Sequence, residues 1–283
     1  MLRLALFLLF ATATTVAKAV ELETTHLFGF TLGSDVNAVG EKEAESETVG
    51  RFGKTAGTYG VLSEALGIKF IPLQNFSVEP IISGARFDVS GVPGLDDRGG
   101  QLAYEAASLE TRYRLINREK AAFGLTVGFD PHWVRVDGSS GAPVDRYGAA
   151  LLLIADKELV EKLIFAAFNF IYEPNDTRSR TTGEWQRTSD LGVSTAVTMQ
   201  IRPGVLIGGE ARYMRSFDGL GLERFSGNAL FVGPTFYARF SEKIWMSAAW
   251  STQVAGHAHN KIGALDLTNF ERDQALLRFG YNF

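Results

Sequence analysis

The sequence contains no cysteine, which removes disulfide scaffolds, thiolate metal sites and thiol nucleophiles together. Histidine is scarce, with four residues in 283, so a site built on imidazole has few candidates. Positive charge is in deficit: 28 Lys+Arg against 32 Asp+Glu give a formal net charge of −4. No global basic field is therefore available to hold a nucleic-acid backbone, and nucleic acid is not expected as a partner. Long hydrophobic runs are missing from the body of the chain. Its most apolar stretches, residues 149–155 and 163–172, are far shorter than the ~20 residues a helical membrane span needs, and Asn169 interrupts the second. What is present is 46% hydrophobic and 12% aromatic residue content with 30 glycines, which argues against intrinsic disorder.

The first residues read as an address. Met1-Leu2-Arg3 is a short basic start, residues 4–11 are an unbroken apolar run, and Ala17-Lys18-Ala19 supplies the small-x-small pattern read by signal peptidase. Cleavage after Ala19 is expected, with residues 1–19 a removed signal peptide and residues 20–283 a single domain.

In that domain the recurring pattern is alternation with period two, the signature of antiparallel strands closed into a barrel. From Thr188 to Arg202 one face reads Leu191, Val193, Thr195, Val197, Met199, Ile201, and the other Asp190, Gly192, Ser194, Ala196, Thr198, Gln200, Arg202. One face suits lipid and the other water. From Phe123 to His132, Phe123, Leu125, Val127 and Phe129 oppose Gly124, Thr126, Gly128 and Asp130. At the C-terminus Asp273, Ala275, Leu277, Phe279, Tyr281 and Phe283 share one face, while Arg272, Gln274, Leu276, Arg278, Gly280 and Asn282 share the other. This ending resembles the terminal strand of Gram-negative outer-membrane barrels, and the resemblance implies recognition by the barrel-insertion machinery.

Connections alternate between short and long, as they do where periplasmic turns are tight and outward loops are not. Short ones fall at residues 72–75, 117–120, 156–161, 202–204 and 241–243, and long ones at 37–57, 91–100, 137–145, 174–185, 218–227 and 255–269. They predict an all-β, transmembrane, antiparallel up-and-down barrel of about 12 strands with both termini on the periplasmic side. The region 37–57 is awkward. Residues 43–52 would make the strand count odd, so they are read as a loop or protruding extension. Trp133, Tyr147, Tyr172, Trp185, Tyr213, Phe217, Trp245 and Trp250 lie toward strand ends, compatible with interfacial girdles and equally with core packing.

The stretches Glu210-Ala211-Arg212-Tyr213, residues 229–234 and 245–250, and the ending from Leu277 to Phe283 resemble uncharacterised Gram-negative outer-membrane β-barrels. These are loosely similar to transporter-like barrels linked to uptake of phenolic and other apolar compounds. The resemblance implies a location in the bacterial outer membrane, with lipid and lipopolysaccharide as surroundings. It assigns no functional residue.

Extending the alternation inward gives the pore-lining candidates Glu110, Arg112, Arg114, Asp130, His132, Glu210, Arg212, Gln274 and Arg278, with Asp190, Arg202 and Arg272 on the same face. Opposed charges across a narrow lumen form a selective constriction or a static network that fills it; the sequence leaves both open. Residues 149–155 and 163–170 are apolar on both faces, which calls for an apolar inner wall or a plug, the plainer choice, such as residues 21–25 or a folded-in loop. Passage of small solutes, apolar ones included, is the favoured function, and a non-conducting barrel with a plugged lumen the alternative.

Other chemistry is thinly supported. His132 with Ser139 and Ser140 is the best pairing for a hydrolase and lacks a Gly-x-Ser-x-Gly elbow, so no enzyme activity is expected. His257 and His259 with Asp266 offer a weak metal set, and an exposed loop pair is the commoner meaning of such histidines. The row Glu41, Glu43, Glu45, Glu47 could hold divalent cations, or be a solvated edge. Gly219-Leu220-Gly221 opens like a dinucleotide fingerprint, but Arg224 stands where the third glycine belongs. No cofactor or resident metal is implied.

Overall fold

A computed structural model describes residues 22–283; the expected signal peptide, residues 1–19, lies outside the described residues. Twelve antiparallel strands follow one another as β1 (Lys42–Phe52), β2 (Thr58–Leu73), β3 (Phe76–Ser90), β4 (Arg98–Ile116), β5 (Gly124–Val136), β6 (Pro143–Val160), β7 (Ile164–Ser179), β8 (Trp185–Arg202), β9 (Val205–Asp218), β10 (Arg224–Arg239), β11 (Ile244–Ala258) and β12 (Asp273–Asn282). Each pairs with its neighbours in sequence, and β1 pairs with β12 to close the barrel. Closure satisfies every strand edge, the condition for a sheet in hydrocarbon, where no water replaces a missing backbone partner. The expected fold is the observed one.

Alternation sets inside and outside. Leu62, Leu66 and Ile68 on β2, Val197, Met199 and Ile201 on β8, and Leu277, Phe279 and Tyr281 on β12 are exposed on the outer wall, while Ala196, Thr198, Leu276 and Arg278 are buried within. The faces read from the sequence for β5, β8 and β12 match this division.

Three expectations are corrected. The region 37–57 is not a loop, because β1 occupies Lys42–Phe52. Twelve strands are retained because the segment before Asn37 is no spanning strand; it folds inside the barrel. The outer face of β1 is what disguised it. Ser46 and Thr48 stand there in place of apolar residues, and both hydroxyls donate to Glu64, the Ser46 bond spanning 2.5 Å. Secondly, the connection at 156–161 is shorter, since β6 runs to Val160. Several long connections shrink likewise: β7 and β8 extend to Ser179 and from Trp185, leaving a short tip between them. Thirdly, Trp245 is no girdle residue. It is 4% exposed and points inward, into the space left by its cross-strand partner Gly280, where a β-carbon would lie 2.0 Å from the indole.

The buried apolar clusters sit in the lumen. Toward the end with the short turns, Leu22, Leu27 and Phe28 pack against Phe165, Ala167, Leu206, Tyr237 and Trp245. Toward the loop end, Tyr59, Val61, Phe87 and Val89 pack on Val92 from the β3–β4 loop.

Candidate functional site

Residues 22–36 form a finger that enters the lumen from the turn end, reverses, and returns to β1. Its own bonds fix the reversal: Leu27 N donates to Thr24 O at 3.1 Å, Gly33 N to Thr25 O at 3.1 Å, and Phe28 pairs with Thr31. Gly29 at the tip has φ +78°, and a β-carbon there would lie 2.8 Å from Ala249 Cβ and 2.9 Å from Thr235 Cγ2. Glycine alone meets both demands. At the base, Asn37 Nδ2 donates to Glu23 Oε2 at 2.8 Å and Thr24 N to Asp35 Oδ2 at 2.9 Å.

The barrel wall supplies a partner for nearly every step of the finger. Asp156 accepts from Ser34 N (3.0 Å), Ser34 Oγ (2.6 Å) and Thr24 Oγ1. Asn169 accepts from Leu32 N at 2.7 Å and donates to Leu32 O at 2.8 Å. Glu210 accepts from Thr31 N at 3.0 Å and from Ser251 Oγ at 3.2 Å. Arg278 Nη1 donates to Gly29 O at 2.8 Å, Arg118 Nη2 to Leu22 O at 2.7 Å, and the Arg212 guanidinium lies 3.7 Å from the centre of the Phe30 ring. Backbone amides of an irregular segment inside a membrane barrel need such partners, because unpaired buried amides are costly. The finger also explains one doubly apolar stretch, residues 163–170: Phe165 and Ala167 cover its apolar side chains, as a plug requires, although the plug extends well beyond residue 25.

Beside the finger, on the β1 to β7 side, the lumen holds a cavity of about 400 Å³. Small inward residues, Ala65, Gly67, Ser83, Ala106 and Ser108, leave the space, and charged ones rim it. The acids are Glu45, Glu47, Glu79, Glu110, Asp130 and Glu173; the bases are Arg112, Arg146 and Arg278, with His26 and His132 also lining. Arg112 Nε lies 2.6 Å from Glu110 Oε1, and Arg278 pairs with Glu47 and, at 3.4 Å, Glu45. Lys69 lies 3.4 Å from Glu43, 3.5 Å from Glu45 and 3.7 Å from Glu79. Asp130 Oδ1 is buried without a hydrogen-bond partner.

The nine pore-lining candidates all turn inward, but in two groups. Glu110, Arg112, Asp130, His132 and Arg278 line the cavity, Arg278 holding the finger as well. Glu210 and Arg212 hold the finger tip, with Arg212 also donating to Gln274, and Arg114 binds Asn75 at the turn end, 3.8 Å from Asp35. The acidic row is relocated: Glu43, Glu45 and Glu47 face the lumen and its cations, so they are no solvated edge. Glu43 and Glu45 with His26 have ligand atoms within 4.8 Å of one another, yet Lys69 Nζ lies 3.2 Å from His26 Nε2. An ammonium thus stands where a metal ion would. The weaker sets dissolve: His132 Nε2 lies 3.0 Å from Asn175 Oδ1 rather than by Ser139 or Ser140, both of which donate to Asp137, His257 stacks on Phe225, and Asp266 is buried against Gln253.

At the loop end the β11–β12 loop turns into the mouth. Gln253 Nε2 donates to Asp266 O at 3.2 Å and Glu271 O at 3.0 Å, and Lys54 Nζ to Phe270 O at 2.7 Å. The barrel is thus narrowed at both ends around a charged chamber.

The chain belongs to DUF6662, a family of unknown function. The family model spans residues 20–283, and no curated protein matches the sequence. The DUF6662 barrel is similar to the COG4313 outer membrane channel from Pseudomonas putida F1, with a TM-score of 0.62 at 12% identity over 88% of this chain and 98% of that one. The β domain of the Bordetella autotransporter BrkA gives 0.52 at 13% identity over 87% and 100%. The NanC porin gives 0.50 at 10% identity over 84% and 98%. The likeness is one of fold, that of outer-membrane barrels.

Proposed function

We propose that this protein is an outer-membrane channel for small polar solutes, with the N-terminal finger as its gate. The observation that carries the reading is the charged cavity beside the finger, large enough for a small solute and rimmed by acids in excess of bases. Such a rim favours solutes with positive charge or several hydroxyls and disfavours anions. The charged lining supports polar cargo over the apolar compounds that the family resemblance implies. Removal of residues 1–19 in export would leave the finger as a free chain end, able to withdraw toward the periplasm without unthreading a loop.

The many bonds between finger and wall favour a second reading, a permanently closed barrel. Bilayer recordings separate the two. Deleting residues 22–36, with residues 1–21 kept for export, should turn brief or rare openings into stable, cation-preferring conductance. A deletion variant that folds and stays silent would overturn the channel reading.

A further inference from the structure

The outer wall carries a feature that the channel does not use. The β9–β10 loop folds back over the lipid-facing side: Gly219 N donates to Arg187 O at 2.8 Å, Ser189 Oγ donates to Gly219 O at 2.7 Å, and the Tyr172 hydroxyl donates to Leu220 O. Beneath its tip lies an apolar groove of about 640 Å³, walled by Leu151, Leu153, Phe170, Tyr172 and Leu191 and capped by Leu222. Leu222 holds φ +59°, an uncommon conformation for a branched side chain.

A cation stands beside this groove on the same face. Arg215 is the cross-strand partner of Leu191, so its side chain also points outward. Its guanidinium lies 5.1 Å from the ring centres of both Phe217 and Phe225. Nearby Arg187 and Arg224 have carboxylate partners, Asp176 at 3.7 Å and Asp218 at 3.8 Å. Arg215 forms no ion pair among the described residues, and its Nε is buried without a hydrogen-bond partner. An arginine on a lipid-facing wall without a carboxylate calls for an anion from the surroundings. Its position near the loop end of β9, one strand from Leu191 of the groove, fits headgroup depth.

We propose that this face binds one molecule of lipid A, with an acyl chain in the groove under Leu222 and a phosphate on Arg215. The inference rests on the outer-membrane location, since the loop end then meets the leaflet that holds phosphorylated glycolipid. It does not depend on conduction. Aromatic rings fix the guanidinium in advance, so little side-chain freedom is lost when the phosphate arrives.

The test is native mass spectrometry of the full mature barrel in mild detergent, titrated with hexa-acylated bisphosphorylated lipid A, the same lipid dephosphorylated, and phosphatidylglycerol. Wild type should bind the phosphorylated form about tenfold tighter than the other two, the effect of one charge-assisted contact. Arg215→Gln should abolish the phosphate preference, and Leu222→Gly should weaken both forms of lipid A alike. Equal binding of phosphorylated and dephosphorylated lipid A by wild type would overturn the proposal whatever the variants do. So would phosphatidylglycerol binding as tightly as lipid A, or a folded R215Q that keeps the preference. Failure of the outer-membrane reading shows separately, as absence of the protein from that membrane on fractionation.

Discussion

Asp156 and Asn169 show how single residues decide what the lumen holds. Each is a buried polar group on the inner wall, Asp156 opposite Ala167 and Asn169 opposite Ile154, and among the described residues each finds its hydrogen-bond partners in the finger. Asp156→Ala removes the acceptor for Ser34 N, Ser34 Oγ and Thr24 Oγ1, leaving buried donors unpaired. It should weaken finger seating by about 3 kcal/mol, read as faster protease cleavage within residues 22–36 while the barrel core stays resistant. Cleavage at the wild-type rate would contradict that placement. Trp245 offers an optical check, because its indole stacks on His26 at 4.3 Å and 12° in the room left by Gly280. Gly280→Ala should drive the ring out of this slot at a cost of roughly 1–3 kcal/mol, with a red shift in tryptophan emission; an unchanged spectrum would refute the packing.

His26 gives the finger a pH dependence. The imidazole lies in the luminal finger, outside the spanning strands, among Glu43, Glu45 and Lys69. Burial, reinforced by Lys69 and Arg278, holds it well below the ordinary 6.5, so it is neutral when seated. A withdrawn finger regains the ordinary value and takes up a proton below about 6.5. Falling pH therefore favours withdrawal. Glu23 acts in the opposite sense: burial raises it above 4.5, so seating binds a proton there and low pH favours the seated state. In a Glu23→Gln background the open fraction in bilayers should rise between about pH 7 and pH 5.5, and adding His26→Gln should flatten the response. A rise that survives the histidine replacement would assign it to another group.

At the scale of elements, period-two alternation revealed those strands whose outer face is apolar. β5, β8 and β12 were legible because hydrocarbon demands Leu, Val and Phe at every second position. β1 was not, because its outward Ser46 and Thr48 satisfy themselves on Glu64 of β2, and the inward glutamates then read as a hydrophilic loop. The signal was there in another form, since Glu43, Glu45 and Glu47 alternate with small residues, a lumen face without the usual greasy counterpart. The finger itself has no periodic pattern, and only its imprint was visible, as a stretch of wall apolar on both sides. Lys69, Glu79 and Asp156 do not stand out in the sequence, and Asn169 shows there only as a break in an apolar run, because what they bind lies far away in sequence and register across a barrel cannot be read from one strand. Glu64 supplies a prediction at this scale. Glu64→Leu should be tolerated by the lipid but strands two hydroxyls, so the β1–β2 seam should exchange amide hydrogens faster than in wild type; unchanged protection would deny the bond a structural role.

For the whole molecule, twelve strands enclose more space than side chains alone need, and far less than a wide aqueous pore. The finger fills one half and the charged chamber the other. Barrel and finger thereby have different tasks: the barrel satisfies hydrocarbon outside, and the finger decides what remains open inside. Separating them experimentally is simplified by the absence of native cysteine. A β-carbon placed on Gly124 would stand 3.1 Å from Ser34 Cβ and 2.5 Å from Asp156 Oδ1, so the finger must ease back by roughly 0.7 Å to reach the ~3.8 Å typical of a disulfide. The double variant Ser34→Cys, Gly124→Cys therefore ties the finger to the wall. Planar-bilayer recording of this variant before and after reduction is the most direct measurement of gating by the finger. The oxidised form should be silent and reduction should bring openings; equal conductance in both states, with the disulfide confirmed by mass, would contradict it.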